Sequence, residues 1–336
     1  MVYEQIRYID PSKVQLLVIC YQSKKNTYLE DEVEKLCKVK YLDIDGHVRP
    51  KDFIKVFKEI NAFNPDIVHT HLTGQVIAIP WSLIFQKPLV ITAHTRPDMA
   101  FIKKTKGLLR YGLRHGRIHV VAVSEENYEL MKQYIKGVDS RISCINNGVS
   151  IDNYGREMHK GFRFINVARQ DANKNQALLI NCFEGIHKEF PLTRLTLVGD
   201  GPCHKDLVDL SLEKKLEDYI EFTGSISNVQ DYYAISDVYV QSSHREAMPM
   251  SVLEAMAAKL PIISTKVGGM GDVVKGNGFL IEDGDSEAFV QAMRTILLSD
   301  EQSRRAMGEE SYSLVQEYSS PKTAEKYMEL YEYIIK

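Results

Sequence analysis

Short apolar runs alternate with amphipathic segments along most of this chain of 336 residues. Apolar runs of a few residues are typical of buried strands, and the segments between them carry apolar side chains at helical spacing. Strands that alternate with helices in this way form parallel sheets with helices on both faces. The sequence therefore predicts an α/β protein.

The alternation occurs in two sets, which the polar stretch 146–160 separates. Predicted strands of the first set are 14–20, 39–44, 66–69, 89–93, 119–123 and 141–145, and those of the second are 162–167, 194–198, 220–223, 238–241 and 261–264. We predict an N-terminal Rossmann-like domain over 1–155, completed by a helix at 321–336, and a C-terminal one over 156–320. Since such folds bind ligands at the carboxyl ends of their strands, we expect the site in the cleft between the domains.

The first residues carry a helix pattern with no strand before it. Val2, Tyr3 and Ile6 share one helical face, and a turn at 10–12 precedes the first predicted strand. The chain thus opens partway through a β-α unit. We therefore expect the N-terminal domain to lack its first strand.

The stretch 242–269 carries the strongest indication of a ligand site. A loop at 242–248 follows an apolar strand and leads into a helix, where Val252, Leu253 and Met256 recur at helical spacing. We expect Pro249 at the first helical position, where its missing N–H costs nothing. The unpaired N–H groups and partial positive charge of a helix start attract anions, most often phosphate.

Two glutamates flank this predicted anion site. Glu246 lies in the loop, and Glu254 lies in the second turn of the helix. Carboxylates on both sides suit a ligand with hydroxyls at each end and phosphate in the middle, which is the layout of a nucleotide-sugar. The alternative is a pair of surface glutamates beside a helix start.

The composition predicts a soluble globular protein, with 44% hydrophobic and 26% charged residues. The five cysteines are scattered without a C-x-x-C pair, which indicates reduced thiols. Residues 1–13 lack the apolar core of a signal peptide, and proline and polar residues interrupt the longest apolar run, 76–93. No G-x-G-x-x-G follows a predicted strand, which disfavours a nicotinamide dehydrogenase. We expect no nucleic-acid partner.

Motifs in a fixed order identify the family that the chain resembles. In the second half they are 167–169 with Lys174, 197–202, 222–224, 236–238, Glu246 with Glu254, 267–269, 278–280 and 283–285; in the first half they are His94, 121–124 and 145–149. This set resembles the retaining GT-B glycosyltransferases of family four, also called glycosyl transferases group one. The resemblance covers most of the chain and implies GT-B architecture, with two Rossmann-like domains facing across a cleft.

The resemblance implies a role for each matching polar residue. Arg169 and Lys174 would neutralise the donor diphosphate. Glu246 would hold hydroxyls of the donor sugar, and Glu254 would hold the ribose hydroxyls. His94 would come from the first domain and lie near the sugar. Since this family uses no metal, we expect no metal site and no cofactor, with a UDP-sugar as the donor.

The resemblance also assigns backbone roles on the donor side. Gly199 and Gly201 would let the backbone approach the nucleotide closely. Four consecutive residues at the loop end and helix start would face the phosphate and the sugar: Met248, Pro249, Met250 and Ser251.

Some of these groups have plainer interpretations. Arg169 could pair with Asp171, and His94 could be a structural histidine with satisfied hydrogen bonds. His69 and His71 alternate like a metal-binding pair, but no third ligand lies nearby in the sequence. We interpret these two histidines as a strand end near the cleft.

Segment 101–119 is strongly basic and has two interpretations. Six lysines and arginines and no acid accompany its apolar side: Lys103, Lys104, Lys106, Arg110, Arg114 and Arg117. A basic amphipathic helix can lie on an anionic membrane, which would suit a lipid-linked acceptor and a peripheral position. The other interpretation is a solvated helix whose apolar side belongs to the core.

Together, these features predict a cytoplasmic, metal-independent, retaining glycosyltransferase. It would move a sugar from a nucleoside-diphosphate donor to a hydroxyl of a glycan or glycolipid, in surface polysaccharide or glycoconjugate biosynthesis. Two alternatives stay open: a non-catalytic donor-binding or membrane-docking partner of a complete glycosyltransferase, and a sugar-nucleotide epimerase. Nucleotide binding without turnover would favour the first, and turnover without an acceptor would favour the second.

Overall fold

The computed structural model describes residues 1–44, 48–101, 105–152 and 154–336. Contacts between residues divide the chain into two compact units, residues 1–148 with 320–336 and residues 149–319. The sequence analysis places these divisions after residues 155 and 320. Val149 already belongs to the second unit, because its N–H donates to the carbonyl of Tyr318 at 2.9 Å.

The described part of the first unit alternates strands with helices as the apolar pattern predicts. Its elements up to the division are α1 (Val2–Arg7), β1 (Leu17–Cys20), α2 (Tyr28–Leu36), β2 (Lys38–Tyr41), α3 (Pro50–Phe63), β3 (Val68–His71), α4 (Gln75–Phe85), β4 (Leu89–Ala93), α5 (Pro97–Ala100), α6 (Lys106–Arg114), β5 (Ile118–Ala122), α7 (Glu125–Ile135) and β6 (Ile142–Cys144). Helix α6 lies within the predicted basic segment 101–119, of which residues 102–104 lie outside the described part.

Strand pairing in the first unit is interrupted between β1 and β3. The described strands form a two-stranded sheet, β1-β2, and a four-stranded sheet, β3-β4-β5-β6, all parallel. The two sheets share one helical layer, because Ile19 of β1 and Val68 of β3 both pack on a core that contains Trp81 of α4. The Tyr21 hydroxyl, just after β1, also donates to the carbonyl of Gly74 at 3.1 Å.

The second unit contains a single parallel sheet among its described residues. Its elements are β7 (Phe162–Val167), α8 (Gln176–Glu189), β8 (Thr193–Val198), α9 (His204–Glu213), β9 (Ile220–Gly224), α10 (Val229–Ala234), β10 (Val238–Gln241), α11 (Met250–Ala257), β11 (Ile262–Thr265), α12 (Met270–Val273), β12 (Gly278–Ile281), α13 (Ser286–Leu298) and α14 (Glu301–Val315). Phe164, Leu195 and Val240 of adjacent strands pack against Phe183 of α8 and Phe289 of α13.

The strand order of this sheet reverses between β7 and β10. The order is β12-β11-β10-β7-β8-β9, so the chain builds outward from β7 on one side and from β10 on the other. Loops that leave the carboxyl ends of two such strands run to opposite sides and leave a crevice. The fold therefore points to the loops after Val167 and Gln241 as the place for a ligand.

The last helix, α15 (Ser320–Ile335), returns to the first unit. Its Tyr327 and Leu330 pack on Val90, Val121 and Ile145. The opposite face of β4 and β5 is covered by α4, α6 and α7. Both faces of these two strands are thus buried, which explains why their sequences are continuously apolar.

Four helices and one strand of the described residues escape the apolar pattern in whole or in part. The one-turn helices α5 and α12 were not predicted, and β12 was recognised only as a motif. Neither α2 nor the first turns of α14 were predicted. The helix starts do carry cap signals, because the Thr27 hydroxyl and the Asp300 carboxylate accept backbone N–H groups from Glu30 and Ser303. Since α2 buries none of its residues, an analysis of core periodicity cannot find it.

Candidate functional site

The loops after β7 and β10 are fastened to each other. The side-chain amide of Asn173 donates to the carbonyl of Arg245 at 2.9 Å, and the N–H of His244 donates to the carbonyl of Asn173 at 2.8 Å. The Ser242 hydroxyl donates to the carbonyl of Lys174 at 3.1 Å. These bonds bring the two loops together at the reversal of strand order, where the fold points to a ligand.

Lys174 and Glu246 meet at this junction. The Lys174 ammonium lies 2.5 Å from a Glu246 carboxylate oxygen, and the two side chains are 21% and 9% exposed. A carboxylate buried to this extent requires a partner, because an unpaired buried charge is costly. The pair places a cation and an acceptor for hydroxyls at one point.

Arg169 lies at the end of β7 with its side chain 71% exposed. Its Nε is 3.8 Å from a carboxylate oxygen of Asp171. The alternative interpretation of Arg169, as the partner of Asp171, therefore corresponds to a long ion pair. An exposed pair of this kind contributes little to stability. The guanidinium is therefore accessible to an anion at the carboxyl end of the sheet.

Helix α11 begins one residue later than the sequence predicts. Pro249 is the N-cap residue with extended backbone angles of −73° and 129°, and Met250 is the first helical residue. Proline suits both positions, because neither requires its N–H for a helical hydrogen bond. No side chain caps this start, so the N–H groups of Met250 and Ser251 are available to a ligand.

Two buried tyrosines position the second turn of α11. The Tyr233 hydroxyl lies 3.2 Å from a Glu254 carboxylate oxygen and 3.1 Å from the carbonyl of Ser251, and Tyr239 bonds the Ser251 hydroxyl at 2.8 Å. Burial, reinforced by the charge of Glu254, raises the pKa of Tyr233 well above its usual value. The tyrosine thus stays protonated and donates. Sequence analysis missed both, although a hydroxyl within an apolar run requires a partner.

Glycines let the turns of this site approach one another closely. Gly268 has φ of +57°, and a Cβ there would lie 2.2 Å from the carbonyl oxygen of Glu246. Gly199 and Gly201 lie similarly against the backbone of Ala168 and Gln170, at 2.1 and 2.2 Å. The close approach that these two glycines allow is to the chain's own loop after β7. Their approach to a nucleotide stays a prediction.

In the first unit, three histidines cluster at the ends of β3 and β4. His71 Nδ1 lies 3.0 Å from His94 Nε2, and the two rings are stacked. His69 contacts the Tyr331 hydroxyl at 2.5 Å through Nδ1 and the Thr92 hydroxyl at 2.7 Å through Nε2. His69 and His71 lie in the last three residues of β3, which fits their interpretation as a strand end.

Hydrogen-bond partners and burial determine the protonation of this cluster. Both ring nitrogens of His69 face hydroxyl groups, and one of these, the Tyr331 hydroxyl, also accepts a hydrogen bond from Gln5. Burial lowers the pKa of His94 to about 4 and that of His69 to about 3, and it holds the pKa of His71 well below its usual value. All three rings are neutral at pH 7.

Among the described residues, no three histidine, cysteine or carboxylate side chains are placed to hold a metal ion. In the same part of the chain, no helix combines the length and apolar character that crossing a bilayer requires. The second unit brings Lys174 and Glu246 into contact. Arg169 lies in the same loop as Lys174, and Glu246 lies in the loop that leads into α11. His94 belongs to the first unit.

Two family models match this chain. The model described as Glycosyltransferase Family 4 matches residues 1–153, and the model described as Glycosyl transferases group 1 matches residues 153–314. Between them the two matches cover nearly all of both units.

Curated relatives are similar over most of this chain. Putative glycosyltransferase EpsD of Bacillus subtilis is 31% identical over 235 residues, which are 68% of this chain and 57% of the relative. The chain therefore spans little more than half the length of EpsD. UDP-Gal:alpha-D-GlcNAc-diphosphoundecaprenol alpha-1,3-galactosyltransferase of Escherichia coli is 27% identical over 310 residues, covering 82% of this chain and 78% of the relative.

A solved structure is similar over nearly the whole chain. HepE of Anabaena, crystallised with UDP, has a TM-score of 0.81 at 19% identity and covers 98% of this chain and 96% of its own. HepE has also been crystallised with UDP-glucose. A likeness at this identity shows a shared fold, and the prediction of two Rossmann-like α/β domains is confirmed.

Replacing Lys174 with methionine should lower the free energy of unfolding by about 1–3 kcal/mol, because buried Glu246 loses its partner. Lys188→Met is the matched control: its ammonium lies 2.6 Å from Glu184, but the lysine side chain is 72% exposed, so we expect a change within about 0.5 kcal/mol. Urea unfolding measures both variants. Equal losses of unfolding free energy in the two variants would show that burial does not make the Lys174–Glu246 pair more stabilising than an exposed pair.

Gly268→Ala should lower the free energy of unfolding by about 1–3 kcal/mol or more, since alanine is strained at this φ and its Cβ meets backbone. Gly271→Ala is the control, because no heavy atom lies within 4 Å of a Cβ there and its φ is not in the left-handed region. In helix α12, alanine is favoured over glycine by up to about 1 kcal/mol. A stable Gly268→Ala protein would contradict the close packing of this loop.

The stability of the protein should fall as the pH drops from 6.5 towards 4. The pKa of His94 is near 4 in the folded protein and near 6.5 when unfolded, so the unfolded state takes up the proton first and is favoured. His94→Gln should make this fall shallower, and His115→Gln, a change at an exposed position, should leave it as in the wild type. Urea unfolding at pH 7, 5.5 and 4.5 measures the slopes. Identical slopes in the wild type and His94→Gln would refute the burial of His94 in its neutral form.

Proposed function

We propose that this chain, which belongs to the GT-B glycosyltransferases, transfers a sugar from a nucleoside-diphosphate donor to a hydroxyl acceptor with retention of configuration. The observation that carries the proposal is the Lys174–Glu246 pair at the start of α11, where the strand order of the second unit reverses. We assign the donor to residues 156–320 and the acceptor to residues 1–155 with 321–336.

Three sources of positive charge would act on the departing diphosphate. Arg169 is exposed at the end of β7, Lys174 is held at the junction of the two loops, and the start of α11 presents uncapped N–H groups. Cleavage of the sugar–phosphate bond leaves negative charge on the diphosphate oxygens, and donors already in position stabilise that charge without reorganisation. We therefore propose a reaction that needs neither a metal ion nor a cofactor.

The two glutamates would orient the rest of the donor. When the Lys174 ammonium turns to phosphate, the Glu246 carboxylate becomes an acceptor for sugar hydroxyls. Glu254 is held by Tyr233 and would accept the ribose hydroxyls with its remaining capacity, since an ionised carboxylate accepts several hydrogen bonds. His94, neutral at pH 7, would contact the sugar as a hydrogen-bonding group rather than as a cation.

UDP-sugars are the donors that the comparisons favour, because HepE shares the fold and is known in complexes with UDP and UDP-glucose. The name of the Escherichia coli relative specifies a sugar carried on diphosphoundecaprenol. We propose that the acceptor here is likewise a glycan or a glycolipid, in the assembly of a surface polysaccharide or glycoconjugate.

UDP should raise the melting temperature of the full chain, and at a hundred times its dissociation constant it should stabilise by about 2.7 kcal/mol. Glu254→Gln should weaken UDP binding by about tenfold or more, because an ionised acceptor for the ribose hydroxyls is lost. Glu189→Gln, which breaks only the exposed pair with Arg294, is the control. GDP, ADP and NAD complete the panel, and the absence of a shift with any nucleoside diphosphate would refute the donor site.

Turnover distinguishes the transferase from its alternatives. UDP-glucose and UDP-galactose are incubated with the full chain, with and without a polyisoprenyl-diphosphate sugar, and the products are separated. We expect release of UDP and a new glycosidic bond only when the acceptor is present. Conversion of the donor sugar alone would instead show an epimerase, and binding of UDP without any turnover would favour a non-catalytic partner.

A further inference from the structure

We propose that Tyr154 is a positioning residue for donor binding: it packs on Tyr233 and thereby orients the Glu254 carboxylate. The linker clip, which is the set of contacts between residues 156–159 and residues 234–237, holds Tyr154 in place. The inference rests on the proposed function, because it requires that Glu254 accepts the ribose hydroxyls of the donor. It adds the segment that leads into β7 to the parts of the chain that determine donor affinity.

The segment 154–159 has no helix or strand of its own. Ordering such a segment costs conformational entropy, which contacts with the body of the second unit must offset. These contacts converge on one corner of the fold, residues 234–237 between α10 and β10. The N–H of Glu157, for example, donates to the carbonyl of Ala234 at 2.9 Å. The segment is therefore fixed along the end of α10.

Asp237 is the centre of the linker clip. Its carboxylate lies 3.6 Å from the Arg156 guanidinium and 3.5 Å from His159 Nε2, and its side chain is 16% exposed. The Arg156 guanidinium also donates to the carbonyl of Ser236 at 3.3 Å. The same carboxylate accepts the N–H of Arg163 at 2.8 Å, so the clip is fastened to β7 as well as to β10.

The clip accounts for a motif that does not face the ligand site. Residues 236–238 belong to the ordered motifs, but Val238 is the first residue of β10, so the motif lies at the amino end of a strand. Ligands of such folds bind at the carboxyl ends of the strands. Asp237 therefore acts on the donor only through other residues, and the segment that it holds supplies the connection.

Two residues before Arg156, Tyr154 packs on Tyr233. The centres of the two rings lie 6.2 Å apart, and the ring planes are tilted by 60°, which is a favourable arrangement for an aromatic pair. Tyr154 is half-buried and Tyr233 is fully buried. Tyr233 also has an aromatic neighbour in Tyr239, at 6.5 Å. The segment thus supplies one of the rings that hold Tyr233.

The position of the Tyr233 hydroxyl decides whether it reaches Glu254. The hydroxyl lies 3.2 Å from a Glu254 carboxylate oxygen and 3.1 Å from the carbonyl of Ser251, whereas hydroxyl hydrogen bonds are typically about 2.5–3.0 Å long. A small shift of the ring away from α11 therefore loses the contact with the carboxylate. Since α10 has only six residues, packing rather than the helix itself fixes the ring.

Orientation of Glu254 affects one end of the donor. A carboxylate that is already oriented binds its ligand more tightly, because less conformational freedom is lost on binding. Without the Tyr154 ring, the carboxylate is still present but is less well oriented, and the contacts with the diphosphate persist. The loss of affinity should therefore depend on the ribose hydroxyls and on Glu254.

Titration of UDP into the full chain tests this inference. Tyr154→Leu should weaken UDP binding by about three- to tenfold, the range that the loss of one aromatic pair gives. Tyr154→Phe keeps the ring and should bind UDP like the wild type. Tyr232→Leu is the matched control, because Tyr232 is likewise half-buried and adjoins Tyr233, but its hydroxyl contacts Glu221 at 3.4 Å. It should also bind UDP like the wild type.

Two further measurements separate positioning from a general loss of structure. The analogue 2′,3′-dideoxy-UDP lacks the ribose hydroxyls, so the wild type and Tyr154→Leu should bind it with equal affinity. In a Glu254→Gln background, Tyr154→Leu should have no further effect on UDP affinity, because residues that act through one another are not additive. The melting temperature of each variant without nucleotide shows whether the fold is intact.

The linker clip is tested by a separate variant. Arg156→Gln with His159→Gln removes both side chains that contact the carboxylate of the clip. This variant should weaken UDP binding, but less than Tyr154→Leu does, because the ring remains in the segment. Lys188→Gln with Arg305→Gln removes two exposed bases elsewhere and should leave UDP affinity unchanged.

Four results would overturn the inference. They are unchanged UDP affinity in Tyr154→Leu, an equal loss of affinity for UDP and its dideoxy analogue, a loss that persists in full in the Glu254→Gln background, and unchanged affinity in the clip variant. In each case, UDP binding by the wild type and its weakening in Glu254→Gln would leave the donor site standing. Absence of UDP binding by the wild type would instead refute the proposed function together with this inference.

Discussion

The contact between the loops after β7 and β10 is the constraint on which the site of the second unit depends. A parallel sheet whose order reverses there sends these loops to opposite sides, and hydrogen bonds from the side chains of Asn173 and Ser242 to backbone carbonyls hold them together again. At this contact Lys174, from one loop, lies within 2.5 Å of Glu246, from the other. A cation and a carboxylate from distant parts of the chain thus become one polar centre beside the start of α11.

In the first unit, burial determines the protonation state of the histidine cluster. Its three histidines lie on β3 and after β4, where His69 bonds the hydroxyls of Thr92 and of Tyr331 in α15, and His71 bonds His94. The histidines therefore remain neutral at pH 7. The polar centre of the second unit carries charge, whereas the histidine cluster of the first unit offers neutral hydrogen-bonding groups.

The sequence predicted the strands well where apolar runs end at polar residues. β4, β7 and β10 have the predicted bounds, whereas β3 lies two residues later, because its alternating histidines blur the apolar run. Lys174 and Glu246 were found through ordered motifs, since no periodicity links residues 72 positions apart. Tyr233 and Tyr239 were missed because their rings fit an apolar pattern, and only the structure shows where their hydroxyls point.

Backbone pairing in the first unit is interrupted between β1 and β3. The strands of this unit are therefore held in two different ways. β3 to β6 are joined by continuous backbone ladders. β1 and β2 contact the rest through side chains such as Ile19, through the ion pair of Lys40 with Glu59 and through the hydrogen bond from Tyr21 to Gly74. Side-chain packing can be released locally without breaking a ladder, so the free energy of opening differs between the two parts. The amides of β1 would therefore exchange with solvent sooner than those of β4, and two segments of one compact unit would have separate lifetimes.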